Sequence, residues 1–337
     1  MSFFYKAVCF IMALYFSMLG MLGGLFPPKG GEDLRVTAYL VADNAAAVEN
    51  MDISHLGDVT DIILIGALAG FDTEGHINLN SEFDGIIRAV REKTEGFDIR
   101  LQLNIFGPWG NGSSVFEENM QAMGEQHKQA FDSGNLEPEI RSVLENYGLN
   151  GVSFDYEFPL SDEQKRDYGD FLVSLDRTLG DEYTIGCALS AWCAGLPAEA
   201  IAVIDRAELM CYDVWDYQTH AHSSLRNAKD LINNMFDLGY KPEQLELGLP
   251  FYARPTTEEA IWYNWADYYD KVDRIGLYED EQNGVTASFN TPDLIYAKTR
   301  YAVSQKLGGV FVWHYACDVP ADNASSLFNA IVRAKGK

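Results

Sequence analysis

An alternation of strand runs with segments of helical period predicts a closed (β/α)8 TIM barrel. Two observations carry it. Eight short runs rich in branched and aromatic residues recur along the chain, at 36–41, 61–68, 99–106, 150–157, 184–191, 208–214, 245–252 and 308–315. Between most of them lie amphipathic stretches with helix start and stop signals, and strands alternating with helices pair in parallel. A doubly wound open sheet is the competing architecture. It calls for a glycine-rich phosphate loop after the first strand, where the chain offers "VADNAAAVEN".

Each element has a local cause. "SDEQKRDYGDFLVSLDRTLG" opens on a Ser N-cap with acids in its first turn and closes on Gly180. "TPDLIYAKTRYAVSQKLGG" places Thr291 as cap, Pro292 at the first helical position and Gly308 as the stop. "LEPEIRSVLENYG" and "SSLRNAKDLINNMFDLG" follow the same grammar. Segment 253–290 carries "EEAIWYNWADYYDKVD", a helix or turn rich in aromatics, and then the polar "EDEQNGVTASFN". It is too short for an independent core, which takes about 40 residues or more. No full α+β insertion domain is expected there.

The chain has 337 residues, with 50 acids against 25 bases and a formal net charge of −25. Such a surface repels phosphate backbones, which argues against nucleic acid and favours a neutral or cationic partner. Residues 1–32 read separately. The uncharged run "AVCFIMALYFSMLGMLGGLF" follows Lys6 and is broken by "PPKGGED". It describes a secretory signal or, being about 20 residues long, a retained membrane anchor. In either case the domain at 33–337 is expected to face the cell exterior as a secreted or anchored monomer. Beyond Cys9 the cysteines are Cys187, Cys193, Cys211 and Cys317. Their spacing matches no zinc pattern, and the pairing stays open. No cofactor-binding motif is present, and no HxH or HExxH supports a metal.

The stretch "NGVSFDYEFP" at 150–159 is the most informative in the chain. Side chains alternate across a strand, so Val152, Phe154 and Tyr156 share one face, while Ser153, Asp155 and Glu157 share the other. A bulky apolar face opposite two carboxylates suits a barrel strand whose C-terminal end serves chemistry. The six tryptophans agree with that end: Trp109, Trp192, Trp215, Trp262, Trp265 and Trp313 all follow strands or lie near a strand end. Flat aromatic faces stack on sugar rings, so a carbohydrate cleft is the expectation.

With those residues in view, the chain resembles glycoside hydrolase family 18, the chitinase-like enzymes, over roughly 35–335. The family's DxxDxDxE pattern is met by Asn150-Gly-Val-Ser153-Phe-Asp155-Tyr-Glu157, which keeps the last two acids and replaces the first two. Its Met-x-Tyr-Asp pattern is met by Met210, Tyr212 and Asp213. "LELGLPFYAR" brings Tyr252 and Arg254, "GGVFVW" ends on Trp313, and Tyr39 stands on the first strand. The Ser-x-Gly-Gly pattern is poorly kept, with only Gly107 as a match.

The resemblance implies substrate-assisted retaining hydrolysis beside N-acetylglucosamine. Glu157 is then the general acid, Asp155 orients the 2-acetamido group, and Tyr212 donates to its carbonyl. Asp213 supports the polar network and Trp313 lies beneath the sugar. Tyr39, Ser153, Met210, Arg254, Trp109 and Trp215 are the further substrate-binding candidates, with Trp262 and Trp265 as a stacking wall. His220 and His222 are weighed as lining groups. Ser153 departs from the pattern, since an acid there shares a proton with Asp155, and an altered pH profile is expected. A non-catalytic glycan-binding lectin remains the alternative. Chitin oligosaccharide or a related glycan is the expected substrate, with the same chemistry on peptidoglycan or N-glycan cores as a further alternative.

Overall fold

A computed structural model describes residues 33–66 and 69–336. The N-terminal segment read as a signal or anchor lies outside the described residues. Among the described residues no helix is long and apolar enough to cross a membrane.

The strands, in chain order, are β1 (Arg35–Val41), β2 (Asp61–Ile65), β3 (Ala69–Phe71), β4 (Ile77–Leu79), β5 (Arg100–Ile105), β6 (Gly151–Phe154) and β7 (Thr184–Leu189). Then come β8 (Arg206–Leu209), β9 (Leu245–Pro250), β10 (Tyr252–Pro255), β11 (Tyr263–Asn264), β12 (Leu277–Asp280), β13 (Val285–Ser288) and β14 (Gly309–Trp313). Eight of them close a parallel barrel in the order β1-β14-β9-β8-β7-β6-β5-β2. All eight strand runs read from the sequence are barrel strands, most of them shorter than expected.

Capping chemistry sets the helices. Ser161 Oγ accepts from Gln164 N at 3.1 Å and Gln164 Oε1 accepts from Ser161 N at 3.0 Å, a closed capping box at the start of Asp162–Leu179. Thr291 Oγ1 accepts from Leu294 N, and Pro292 opens Pro292–Ser304. That helix stops short of Gly308, with Lys306 in the left-handed region at φ 58°. Gly308 serves a close approach instead, because a Cβ there would stand 2.0 Å from Glu243 O.

Segment 253–290 departs from the helix-or-turn expectation. It folds as an antiparallel sheet in the order β11-β10-β13-β12, with only the short helix Trp265–Tyr268. Tyr263, Trp265, Ala287 and Phe289 join the main core, so the sheet is an outgrowth of the barrel and has no core of its own. A hairpin, β3-β4, also follows β2.

The alternation read from 150–159 holds. Phe154 and Tyr156 pack outward into the helix layer, where Tyr156 stacks on His127 at 3.8 Å. The barrel interior holds a small separate apolar cluster of Tyr39, Ile63 and Phe311, flanked by Ile65, Tyr212 and Trp313. Nearer the strand N-termini the interior is ionic. Buried Arg206 reaches Asp61 Oδ1 at 2.8 Å, Glu246 Oε2 at 3.1 Å and Thr37 Oγ1 at 2.7 Å. Arg100 and Arg35 approach the same two acids from the rim, at 3.0 Å and 2.7 Å. Cys187, Cys193, Cys211 and Cys317 are all free and buried.

Candidate active site

At the C-terminal mouth of the barrel lies a cavity of about 280 Å³. Asp155 and Glu157 line it at the end of β6, and Tyr212 and Met210 line it beyond β8. Tyr39 rises from β1 and Trp313 closes β14. The chain just past β6 stays registered, because Asp155 N donates to Ile105 O at 2.9 Å. That bond fixes which way the two carboxyls point.

The pair sits in a dry setting. Burial pushes Asp155 well above the usual carboxylate range, and the Glu157 charge and a hydrogen bond between the two carboxyls add to it. Glu157 is raised as well, by burial first, which the hydrogen bond with Asp155 opposes and the Asp213 charge reinforces. Both carboxyls therefore favour their protonated forms, and two such groups in contact can share a proton. A raised carboxyl of this kind is suited to proton transfer.

The opposite wall is polar and rigid. Asp213, in the left-handed region at φ 51°, accepts from Tyr252 OH at 2.7 Å, Arg254 Nε at 2.8 Å and Arg254 Nη2 at 3.0 Å. Burial alone would raise its carboxyl, but the hydrogen bonds with His222, Arg254 and Tyr252 hold it well below the usual range. Trp262 stacks on Tyr252 at 3.6 Å with the rings 5° apart, and the Arg254 guanidinium lies 5.1 Å over the Trp262 ring. Tyr212 and Trp313 run nearly parallel at 6.2 Å on the floor. The Tyr212 hydroxyl has no hydrogen-bond partner among the described residues.

Several residues expected at the site stand elsewhere. Ser153 is 1% exposed and lies below the floor, because its strand position is one layer deeper than Asp155. Trp109 rests on Phe106 at 5.3 Å and is 59% exposed, outside the cavity. Trp215 is half-buried and donates its indole N–H to Pro255 O at 2.8 Å, which fixes the antiparallel sheet against the loop after β8. Trp265 is 3% exposed and belongs to the core, so Trp262 alone forms the wall. His222 is buried behind Asp213, whose N–H donates to Nε2 at 2.9 Å, while His220 is exposed.

The structure adds lining residues that sequence reasoning did not single out. Phe158 and Trp192 meet edge to face at 5.3 Å on the rim, and Ala188 and Ser190 line the side toward β7. Trp192 had been placed at this end of the barrel, but nothing in its local pattern separated it from Trp109.

A closed (β/α)8 barrel with two adjacent raised carboxyls and an aromatic floor at its C-terminal mouth has the equipment of a glycoside hydrolase. Comparison with known proteins then fixes the family. The model for "Glycosyl hydrolases family 18" matches residues 39–318, and the chain belongs to that family. A probable chitinase 2 of Drosophila melanogaster is 24% identical, covering 83% of this chain and 70% of that one. Among solved structures, the family 18 chitinase ChiB of Flavobacterium johnsoniae is similar with a TM-score of 0.69. It is 21% identical over 90% of this chain and 94% of its own. A class V chitinase from Nicotiana tobaccum in complex with NAG4 has a TM-score of 0.67 at 18% identity, covering 90% of this chain and 99% of its own.

Proposed function

We propose that this glycoside hydrolase cleaves β-1,4 bonds next to N-acetylglucosamine by substrate-assisted retaining catalysis. The observation that carries the reading is the half-buried Asp155–Glu157 pair lining one cavity with Tyr212 and Trp313. Glu157, raised by burial, protonates the glycosidic oxygen and then activates water. Asp155 orients the acetamido nitrogen and stabilises the positive charge that develops as the substrate's own carbonyl oxygen attacks the anomeric carbon. The free Tyr212 hydroxyl donates to that carbonyl, and Trp313 packs under the ring. Asp213 and Arg254, locked together, present a fixed polar edge to the sugar hydroxyls. Ser153 takes no part in binding.

The substrate class comes from the relatives, several of which are chitinases by name, and from the solved neighbour holding NAG4. Soluble chitin oligosaccharides suit a cleft walled by a small sheet and Trp262. Export is proposed from the uncharged run at 7–26. The test is mass-spectrometric product analysis on chitin oligosaccharides, N-glycans and peptidoglycan fragments. Release of N-acetylglucosamine oligomers from the first group is expected. Cleavage of none of the three overturns the proposal.

A further inference from the structure

Below the catalytic pair the barrel holds a third carboxyl. Glu208 lies on β8, two residues before Met210, and is 1% exposed. Its Oε2 accepts from Ser153 Oγ at 2.6 Å and from Tyr39 OH at 2.6 Å. Ser153 is on β6, and β7 runs between the two strands. The contact is possible because the β7 residue registered against Ser153 is Gly186. A Cβ at 186 would stand 2.5 Å from Glu208 Oε1 and 3.4 Å from Ser153 Cβ. The bare glycine leaves the gap through which the acid crosses its neighbouring strand.

Glu208 therefore reaches the position under Asp155 where Ser153 carries no charge. Two oxygens there have unspent capacity. Glu208 Oε1 and Asp155 Oδ1 are both buried without a hydrogen-bond partner among the described residues. The groups facing Glu208 are Tyr39 from β1, Asp155 from the end of β6, Cys187 from β7, Arg206 from its own strand and Glu246 from β9. The one cation among them, Arg206, is already shared by Asp61 and Glu246, and its Nε stands 3.8 Å from Glu208 Oε1. Ionised Glu208 is thus poorly compensated, and its field falls on Asp155.

We infer that Glu208 is a positioning carboxyl for the catalytic pair: it anchors Ser153 and Tyr39 from across β7 and, through its charge, keeps a proton on Asp155 and Glu157. Burial raises Glu208 itself to about 7, with Arg206 opposing and Glu246 adding to the rise. It therefore ionises as pH approaches neutrality. From there its charge makes the pair above it harder to deprotonate, and Glu157 remains an acid to higher pH.

The inference rests on the hydrolytic reading, and its test separates the two. On chitin oligosaccharides, Glu208→Gln removes the charge while keeping the side-chain size. The basic limb of its kcat–pH profile should move to lower pH by roughly one unit, with little change in KM. Glu208→Asp keeps the charge, so its limb should stay close to that of the unsubstituted enzyme. In the double variant Ser153→Asp/Glu208→Gln, a carboxyl returned to β6 should move the limb back. Difference infrared titration of the buried carboxyls reads the same shift without turnover. If the enzyme hydrolyses nothing, the functional proposal fails while the infrared midpoint still decides on Glu208. Coincident midpoints in the unsubstituted protein and Glu208→Gln, or a rate loss equal at every pH, overturn the inference. Should Glu208→Gln not fold, Ser153→Asp adds a second charge at the same place: an infrared midpoint of the pair raised by roughly one unit supports the inference, and an unmoved one overturns it.

Discussion

Arg254 grips both carboxylate oxygens of Asp213, Nε to Oδ1 at 2.8 Å and Nη2 to Oδ2 at 3.0 Å. The pair ties the loop after β8 to β10, and the same guanidinium lies over Trp262. A planar fork can do both at once, whereas a lysine would make one point contact. Arg254→Lys should therefore raise KM several-fold and lower kcat less, because the wall loosens while the Asp155–Glu157 pair keeps its strand. Steady-state kinetics on a soluble oligosaccharide checks this.

Glu157→Gln should keep the fold and sugar binding while kcat falls by about 10²- to 10⁴-fold, the usual contribution of a positioned proton donor. An amide of the same size fills the site and has no proton to give. Retained affinity by calorimetry beside lost turnover is the expected pattern. Undiminished kcat assigns the acid elsewhere.

Trp262 and Trp265 stand three positions apart and should respond in opposite ways. Trp262→Ala removes a half-buried stacking face and should weaken oligosaccharide binding by about 0.5–1.5 kcal/mol with little loss of stability. Trp265→Ala empties a core position whose indole N–H donates to Ser325 O at 2.9 Å, and should cost about 3–5 kcal/mol of folding stability. Denaturant unfolding and binding isotherms separate the two effects.

Arg206→Met should destabilise the fold by up to about 3 kcal/mol, since buried Asp61 and Glu246 lose their shared cation and keep only Arg100 and Arg35 at the rim. Adding Asp61→Asn and Glu246→Gln to that variant should recover part of the loss. Urea midpoints for the single and triple variants give the comparison.

Stability should also fall with rising pH through the Glu208 titration. Burial raises this carboxyl from its ordinary 4.5 to about 7, so the unfolded chain releases the proton first. The contribution is fully present below about 4.5 and is lost as pH rises through about 7. Glu208→Gln should flatten that decline in a series of Tm measurements.

Local pattern was enough for the barrel strands and for the directions of their side chains. Alternation in "NGVSFDYE" put Phe154 and Tyr156 on one face and Asp155 on the other, because the pleat fixes facing residue by residue whatever the rest of the chain does. Capping at Ser161 and Thr291 was legible for the same reason, since donor and acceptor are three residues apart. The family resemblance pointed to Glu157, Tyr212, Asp213, Arg254 and Trp313, and barrel order carries the ends of their strands to one mouth.

Depth and cross-strand partnership were decided only by the tertiary structure. Whether Trp262 or Trp265 faces the cavity depends on how a small antiparallel sheet joins the main core, and nothing within the segment states that. Ser153 and Glu208 are 55 positions apart on strands that are not neighbours, and they meet through a gap left by a third residue, Gly186. Hydrogen bonds and charges act across a few ångströms of space. Where closure of a barrel creates that proximity, residues joined by a hydrogen bond need share no stretch of sequence.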